Sequence, residues 1–270
     1  MKKPIYFTNT FTAYKNPPDI IALGFFQSVL LTNWALFRNV PGSGYDTDHI
    51  DMDAVRAAAS STTWWKNLQG QMIVIDEESL PWYSEDRPQR DHVHDQLIEA
   101  VQLIRQYHPG VAIGYYMRMP DRNYWDAIGP KAADAFKAWE RRNAMVLSNL
   151  DDATLDVTRL GIAKHVDRVF PSLYSYYDMP ANMAAWKLYA DRNIEQALAY
   201  NKPIIPYLCP HQQKAGYPQY AAGVFKEQVN HVLNNPAVDG VTIFPIVTPN
   251  EPFDENWDWW KELNEINKGS

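Results

Sequence analysis

Short apolar segments alternate with helical segments along most of this 270-residue chain. The apolar segments have the length of strands and cover residues 4–10, 24–32, 71–78, 111–117, 168–174, 203–208 and 240–247. The helical segments lie between them, at residues 52–68, 91–107, 130–150, 183–200 and 220–234. Because strands that alternate with helices build parallel sheets, the sequence predicts repeated β/α units.

The predicted strands favour a barrel over a flat sheet. No glycine-rich phosphate loop follows any of them, although such a loop is typical of doubly wound dinucleotide-binding sheets. The seven segments therefore predict the α/β class and a distorted, TIM-like (β/α) barrel with seven strands. Barrels of about 200 to 250 residues commonly form one domain, so residues 1–270 are expected to form a single domain. The second strand is the least well defined, since residues 20–31 could equally form an amphipathic helix.

The composition excludes several classes of protein. The chain is 46% apolar and 21% charged, which is ordinary for a globular protein, and its formal net charge of −7 argues against nucleic-acid binding. No segment approaches the ~18 consecutive apolar residues of a membrane span. The first residues lack the apolar core of a secretion signal. A secreted or periplasmic location would require a signal outside this sequence, so the compartment stays open. The single cysteine, Cys209, excludes internal disulfides.

The third predicted strand ends abruptly in three acids, Asp76, Glu77 and Glu78. Successive side chains of a strand point to opposite faces, so Asp76 and Glu78 share one face, roughly 7 Å apart, while Glu77 points to the other. Ligands of barrels and α/β sheets bind at the carboxyl ends of strands. Two crowded carboxyls, one protonated and one charged, suit the cleavage of glycosidic bonds. The alternative is a solvated acidic cap on a buried strand.

Aromatic and polar residues gather at or just beyond the ends of the later predicted strands. They are Tyr115, Tyr116, Asp121, Tyr174, Tyr207 and Phe244. We expect them to surround one mouth of the barrel, where aromatic side chains can stack on the apolar faces of sugar rings. Each tyrosine could equally be barrel filler with its hydroxyl in water. The sequence leaves open which of Tyr115 and Tyr116 points inward, because a single bulge would exchange them.

Four of these segments resemble strand ends of the hyaluronidase family of glycoside hydrolases, and they occur in that family's order. The segments are Ile75-Asp76-Glu77-Glu78, Gly114-Tyr115-Tyr116 followed by Pro120-Asp121, Phe170-Pro171-Ser172-Leu173-Tyr174, and Pro203-Ile204-Ile205-Pro206-Tyr207. Together with the seventh strand they span residues 76–247. Each motif alone is weak, but four in order on successive predicted strands are specific.

The resemblance implies a distorted (β/α) barrel that hydrolyses bonds next to N-acetylhexosamines by a substrate-assisted, retaining mechanism. In that mechanism the acetamido oxygen of the substrate attacks the anomeric carbon, so no protein nucleophile is needed. Glu78 would be the general acid and base, and Asp76 would orient the acetamido nitrogen and stabilise the developing charge. Tyr116 and Tyr174 would hold the acetamido group, and Asp121 would fix the substrate or a tyrosine hydroxyl.

The chain also departs from the family. Glu77 stands where the family has a tryptophan, and Phe244 stands where it has a tryptophan in the cleft. Phe244 and Tyr207 are nevertheless counted among the substrate-binding residues. The chain cannot form the disulfides of the vertebrate and venom members. These differences leave the barrel and the acid pair in place and put hyaluronan itself in doubt.

Two alternatives stay open. One is a glycosidase of another specificity, in which Glu78 works with a second carboxylate such as Glu251 or Asp254; the other is a catalytically silent carbohydrate-binding barrel. The expected partner is a polysaccharide or oligosaccharide, with no nucleic acid and no membrane, and the oligomeric state is left open. No metal or organic cofactor is expected, and His92 and His94 are expected at a solvated helix start rather than in a metal site. The tryptophans after the seventh strand are expected to anchor the last helix.

Overall fold

The computed structural model describes residues 2–41, 44–61, 72–121, 132–148, 162–176, 178–214, 216–247 and 251–269. Within these ranges the strands are β1 (Ile5–Thr8), β2 (Phe26–Leu31), β3 (Arg38–Val40), β4 (Gly44–Asp46), β5 (Met72–Ile75), β6 (Ala112–Tyr115), β7 (Tyr207–Leu208) and β8 (Val241–Ile243). The helices are α1 (Asn33–Leu36), α2 (Met52–Ser60), α3 (Arg87–Tyr107), α4 (Ala132–Ser148), α5 (Met183–Leu198), α6 (Val224–Asn234) and α7 (Asp258–Gly269).

Six of the strands form one parallel sheet in the order β6-β5-β2-β1-β8-β7, which curls into a half-barrel with helices outside it. Leu31 pairs with Ile75, and Ile75 pairs with Tyr115, so β2, β5 and β6 end in one row. The α/β architecture is confirmed, and residues 26–31 form a strand rather than part of a helix. β3 and β4 form a separate antiparallel hairpin that the sequence did not predict.

Residues 169–174 lie between the two edge strands of the sheet and hydrogen-bond to both sides. The N–H of Met117, just after β6, donates to the Phe170 carbonyl at 2.9 Å, and the N–H of Leu173 donates to the Tyr207 carbonyl in β7 at 2.9 Å. The pairing consists of isolated bridges, because a proline nitrogen such as that of Pro171 cannot donate to a ladder. The fifth predicted strand is therefore a bridged segment rather than a regular strand.

The outer helices follow the predicted apolar pattern, with shifts at their ends. α3 begins at Arg87 rather than at Asp91 and has Pro88 in its first turn. Its apolar stripe is buried and consists of Val93, Leu97, Val101 and Ile104. The predicted helices over residues 52–68 and 130–150 lie partly outside the described residues. No helix in the described ranges has the length and apolarity that a membrane crossing requires.

An aromatic cluster holds α7 against the sheet. The ring of Trp260 lies 5.9 Å from that of Phe7 in β1 and 5.8 Å from that of Phe25, measured between centroids. Trp259 and Trp260 are both buried. The tryptophans of this helix thus belong to the core between α7 and the sheet.

Gly114 lies where β6 approaches the bridging segment most closely. A Cβ atom added there would lie 2.2 Å from the Arg168 carbonyl oxygen and 2.7 Å from a ring carbon of Phe170. We therefore expect Gly114→Ala to lower the free energy of unfolding by about 1–3 kcal/mol, measured by urea denaturation. Gly269→Ala is the control, because its added methyl meets no atom within 4 Å. A Gly114→Ala variant as stable as the wild type would contradict the close packing of β6 on residues 169–174.

Candidate active site

A pocket with a volume of about 260 Å³ opens at the carboxyl edge of the parallel sheet. Its lining residues come from strand ends and from the segments that follow them, and they are Leu30, Asp76, Glu78, Tyr116, Tyr174, Tyr176, Tyr207, Gln213 and Phe244. Parallel strands end at the same edge of a sheet, so residues far apart in sequence meet there. Six of the seven predicted site residues thus lie in one pocket.

The acid pair stands directly after β5. The N–H of Asp76 donates to the Leu31 carbonyl at 2.7 Å, which extends the pairing of β5 with β2 by one residue. Asp76 is half-buried, whereas Glu78 is exposed. The two carboxyls line the same pocket and are close enough for the charge of Glu78 to act on Asp76. The Oδ1 atom of Asp76 is buried and receives no hydrogen bond from any described residue. The pocket therefore contains one buried acceptor that a ligand can satisfy.

Burial raises the pKa of Asp76 to about 8. Burial is the largest cause of this raised pKa; the charge of Glu78, the hydrogen bond to Glu78 and the charge of Glu77 contribute to it in that order, whereas Arg118 opposes it. With its pKa at this value, the Asp76 carboxyl keeps its proton near neutral pH. Asp76 is the more buried partner because it continues β5, which is paired on both sides.

Tyr116 is the central aromatic residue of the pocket. Its hydroxyl lies 2.8 Å from the Ser172 hydroxyl, and its ring centroid lies 4.8 Å from that of Tyr207 and 5.9 Å from that of Tyr174. Tyr174 in turn stacks on Phe244, with 6.2 Å between centroids and 17° between the ring planes. Four aromatic rings, from β6, the bridged segment, β7 and β8, therefore form a continuous wall of the pocket.

Tyr115 points away from the pocket. It is fully buried, and its hydroxyl donates to the Leu97 carbonyl in α3 at 2.7 Å. Regular alternation through the end of β6 therefore makes Tyr116 the pocket residue and Tyr115 a residue of the layer between sheet and helices. The question that the sequence left open is decided by the absence of a bulge between Ala112 and Tyr116 in the described pairing.

Asp121 is the predicted site residue that the structure places elsewhere. Its carboxylate accepts from Arg142 Nε at 2.9 Å, and its backbone bonds to Trp139 and Asn143 of α4. It does not line the described part of the pocket. In this position Asp121 ties the loop after β6 to a helix. The sequence could not separate this role from a substrate contact, because both use an aspartate just past a strand.

Gln213, Tyr176 and Leu30 line the pocket although the sequence analysis did not select them. The side-chain amide of Gln213 donates to Cys209 Sγ at 3.2 Å, which orients it. Burial raises the pKa of the Cys209 thiol to about 12, so the sulfur acts as an uncharged acceptor. A glutamine in a loop carries no periodic signal, and nothing in the sequence distinguished it from its neighbour Gln212.

No group of three or more histidine, cysteine or acidic side chains among the described residues is arranged to hold a metal ion. His94 was expected at a solvated helix start. It is buried instead, with Nε2 3.1 Å from the Trp82 carbonyl, because α3 begins one turn earlier than expected. The histidine therefore belongs to the packing between α3 and the loop that follows β5.

No protein-family model and no curated protein sequence matches this chain. Among solved structures, bee venom hyaluronidase is similar, with a TM-score of 0.59 at 11% identity over 99% of this chain and 100% of that one. A second structure of bee venom hyaluronidase, in complex with a hyaluronic acid tetramer, has a TM-score of 0.52 at 10% identity over 99% and 95% of the two chains. A GH18 chitinase from Pseudoalteromonas aurantia has a TM-score of 0.46 at 15% identity over 98% and 100%. The likeness to the two bee venom hyaluronidase structures shows a shared α/β fold of the TIM-barrel type.

The raised pKa of Asp76 predicts how stability depends on pH. An unfolded aspartate ionises near pH ~3.9, so the folded state binds this proton more tightly and wild-type stability falls as the pH rises from about 4 to about 8. Asp76→Asn carries no charge and escapes this loss. Relative to the wild type, its Tm should change little near pH 4 and rise by roughly 3–6 °C near pH 9.

Thermal denaturation at the two pH values measures this difference. Asp95→Asn is the matched control, because Asp95 is an exposed aspartate on α3. Its Tm difference from the wild type should be the same at both pH values. An Asp76→Asn difference that does not grow with pH would contradict the raised pKa.

Proposed function

We propose that this protein is a glycoside hydrolase that cleaves polysaccharides containing N-acetylhexosamine by a substrate-assisted, retaining mechanism. The observation that carries the proposal is that Asp76 and Glu78 line one aromatic pocket, in which burial and the charge of Glu78 raise the pKa of Asp76 to about 8. The glycoside hydrolase barrels with similar folds are consistent with this chemistry. In this proposal the whole chain acts as one catalytic domain.

The contact between the acids favours substrate assistance over an ordinary two-carboxylate mechanism. Retaining enzymes of that kind hold their carboxyls about 5–5.5 Å apart across the bond, and inverting enzymes about 6.5–9.5 Å apart. Asp76 and Glu78 instead come from one strand end, two residues apart, so they reach the bond from the same side of the pocket. Neither Glu251 nor Asp254 lines the described part of the pocket. A nucleophile supplied by the substrate removes the need for a second, separated carboxylate.

The proposed reaction begins when the proton held by Asp76 passes to Glu78, the exposed partner. Glu78 donates this proton to the departing glycosidic oxygen while the acetamido oxygen of the substrate attacks the anomeric carbon. Asp76, then ionised, accepts the acetamido N–H through its buried Oδ1 atom and balances the positive charge of the oxazolinium intermediate. Glu78, now a carboxylate, takes a proton from water, which opens the intermediate with retained configuration.

The aromatic wall supplies the binding surface for the sugar. Tyr116 and Tyr174 flank the acids, and Tyr207 and Phe244 extend the surface over which an apolar sugar face or an acetamido methyl group can pack. The volume of about 260 Å³ lies just below the ~300–1,000 Å³ of typical small-molecule sites. The enclosed part of the site therefore suits one sugar residue, and the neighbouring residues of a polysaccharide would lie in the open part of the cleft.

Substitution of the acids tests the proposal directly. Glu78→Gln removes the proton donor, so kcat should fall by about 10²–10⁴-fold with a much smaller change in KM. Asp76→Asn should also lower kcat by at least about 10²-fold, because the developing charge loses its partner. Glu251→Gln is the control and should keep wild-type activity. A loss in Glu251→Gln as large as that in Glu78→Gln would contradict the proposal and favour a two-carboxylate site.

A thiazoline analogue of the oxazolinium intermediate tests the nucleophile separately. We expect competitive inhibition at concentrations far below KM, because a transition-state-like analogue binds more tightly than substrate. The substrates to compare are hyaluronan, chondroitin, heparosan, chitin and bacterial capsular glycans, with product size and new reducing ends as readouts. Cleavage without thiazoline inhibition would contradict substrate assistance. Binding without cleavage of any glycan would favour a silent carbohydrate-binding barrel.

A further inference from the structure

The carboxylate of Glu77 is fully buried and surrounded by hydrogen-bond donors. One oxygen accepts the backbone N–H groups of Ser79 at 2.6 Å and Leu80 at 2.7 Å. The other accepts the indole N–H of Trp82 and lies 3.9 Å from the Arg118 guanidinium. A buried carboxylate with several donors is fixed in place, and it fixes its donors in turn. Glu77 thus determines the path of the chain from Glu77 to Trp82.

Arg118 connects this turn to the loop after β6. Its Nε donates to the Glu77 carbonyl at 2.8 Å, and its guanidinium lies 5.6 Å from the centre of the Trp82 ring. The hydroxyl of Tyr83 donates to the Arg118 carbonyl at 2.6 Å. Both the side chain and the main chain of Glu77 are therefore held by the same arginine, which is itself almost buried. The two strand-end loops behave as one unit.

The acid pair flanks this anchored residue in the sequence. Asp76 precedes Glu77 and Glu78 follows it, so a fixed main chain at Glu77 leaves the two neighbouring carboxyls little freedom to separate. Glu78 is exposed, and its hydrogen bond to Asp76 would otherwise compete with water. The charged and titratable groups acting on Asp76 are Glu78, Glu77 and Arg118, and the Tyr207 hydroxyl faces it from β7.

We propose that Glu77 is a positioning residue that holds Asp76 and Glu78 together by anchoring the turn after β5 and the side chain of Arg118. Its effect on catalysis rests on the proposed glycosidase function; its effect on the geometry of the pair does not. Glu77 touches neither the pocket nor a substrate bound there. Glu77 acts through its neighbours, and its negative charge is paired with the positive charge of Arg118.

The test compares Glu77→Gln with Glu262→Gln. In Glu77→Gln the side-chain NH2 group would face the N–H donors of Trp82 and Arg118. The substitution therefore removes these interactions while the side chain keeps its size. Glu262 is a matched control: it is a nearly buried carboxylate that accepts the backbone N–H groups of Gly223 and Lys226 at the start of α6 and does not line the pocket. A purely structural role predicts equal behaviour of the two variants.

The first readout needs no turnover and follows Asp76 by carboxyl carbon NMR during a pH titration. Glu77→Gln removes a negative charge beside Asp76 and leaves Arg118 unbalanced, so the Asp76 midpoint should move down by about one pH unit. Arg118→Gln should move it up, and Glu262→Gln should leave it in place. An unmoved midpoint in Glu77→Gln, or the same shift in Glu262→Gln, would overturn the proposal.

The second readout is the kinetics of the wild type's own glycan cleavage. In Glu77→Gln we expect kcat to fall about 10–100-fold, KM to change less than threefold, and the alkaline limb of the pH profile to move to lower pH. If Glu77→Gln does not fold, Trp82→Phe removes one donor and should lower kcat in the same manner. Unchanged kcat in every folded variant of this set would overturn the proposal. If Glu77→Gln shifts the Asp76 midpoint as expected but the wild type cleaves no glycan, the proposed function alone is refuted.

Discussion

The parallel pairing of β2, β5 and β6 decides where the chemistry of this protein lies. Leu31, Ile75 and Tyr115 form one row across three strands. The pairing then continues one residue further, since Asp76 N–H donates to the Leu31 carbonyl at 2.7 Å and Tyr116 N–H donates to the Ile75 carbonyl at 2.9 Å. Asp76 and Tyr116 consequently emerge beside each other at the same height. If the register of β2 with β5, or of β5 with β6, shifted by one residue, either Asp76 or Tyr116 would point to the helix side of the sheet.

The same short stretch gives two carboxyls very different surroundings. Asp76 still belongs to the sheet and is shielded by its neighbours, whereas Glu78 has left the sheet and meets solvent. Glu77, between them, is turned into the layer below the helices. Three successive acids therefore occupy a shielded, an exposed and a fully buried position. The different surroundings of the three acids follow from their position at the end of β5, and no further helix or strand is needed to explain them.

Much of this arrangement could be predicted from sequence, because strand periodicity depends only on local order. Alternation placed Asp76 and Glu78 on one face and Glu77 on the other, and the structure has the same division. The position of Asp121 was beyond such reasoning, since its partner Arg142 lies on a helix whose packing no local pattern reveals.

Other features depended on interactions between distant parts of the chain. The sequence predicted an ordinary strand at residues 169–174, because the apolar pattern takes no account of the backbone N–H donors that prolines lack. Gln213 lacks periodicity and became visible only through its contact with Cys209. The local sequence pattern therefore indicated the candidate site residues, and tertiary contacts determined which of them share the pocket.

The bridged segment at residues 169–174 also closes one wall of the cavity. It carries Ser172 and Tyr174, which touch Tyr116 and Phe244. Although its pairing consists of isolated bridges, its main chain is hydrogen-bonded to both edges of the sheet: the Met117 N–H donates to the Phe170 carbonyl at 2.9 Å, and the Tyr207 N–H donates to the Pro171 carbonyl at 2.8 Å. Widening the cavity on this side would therefore break main-chain hydrogen bonds, so the distance between the two edge strands sets how large a ligand the cavity can admit.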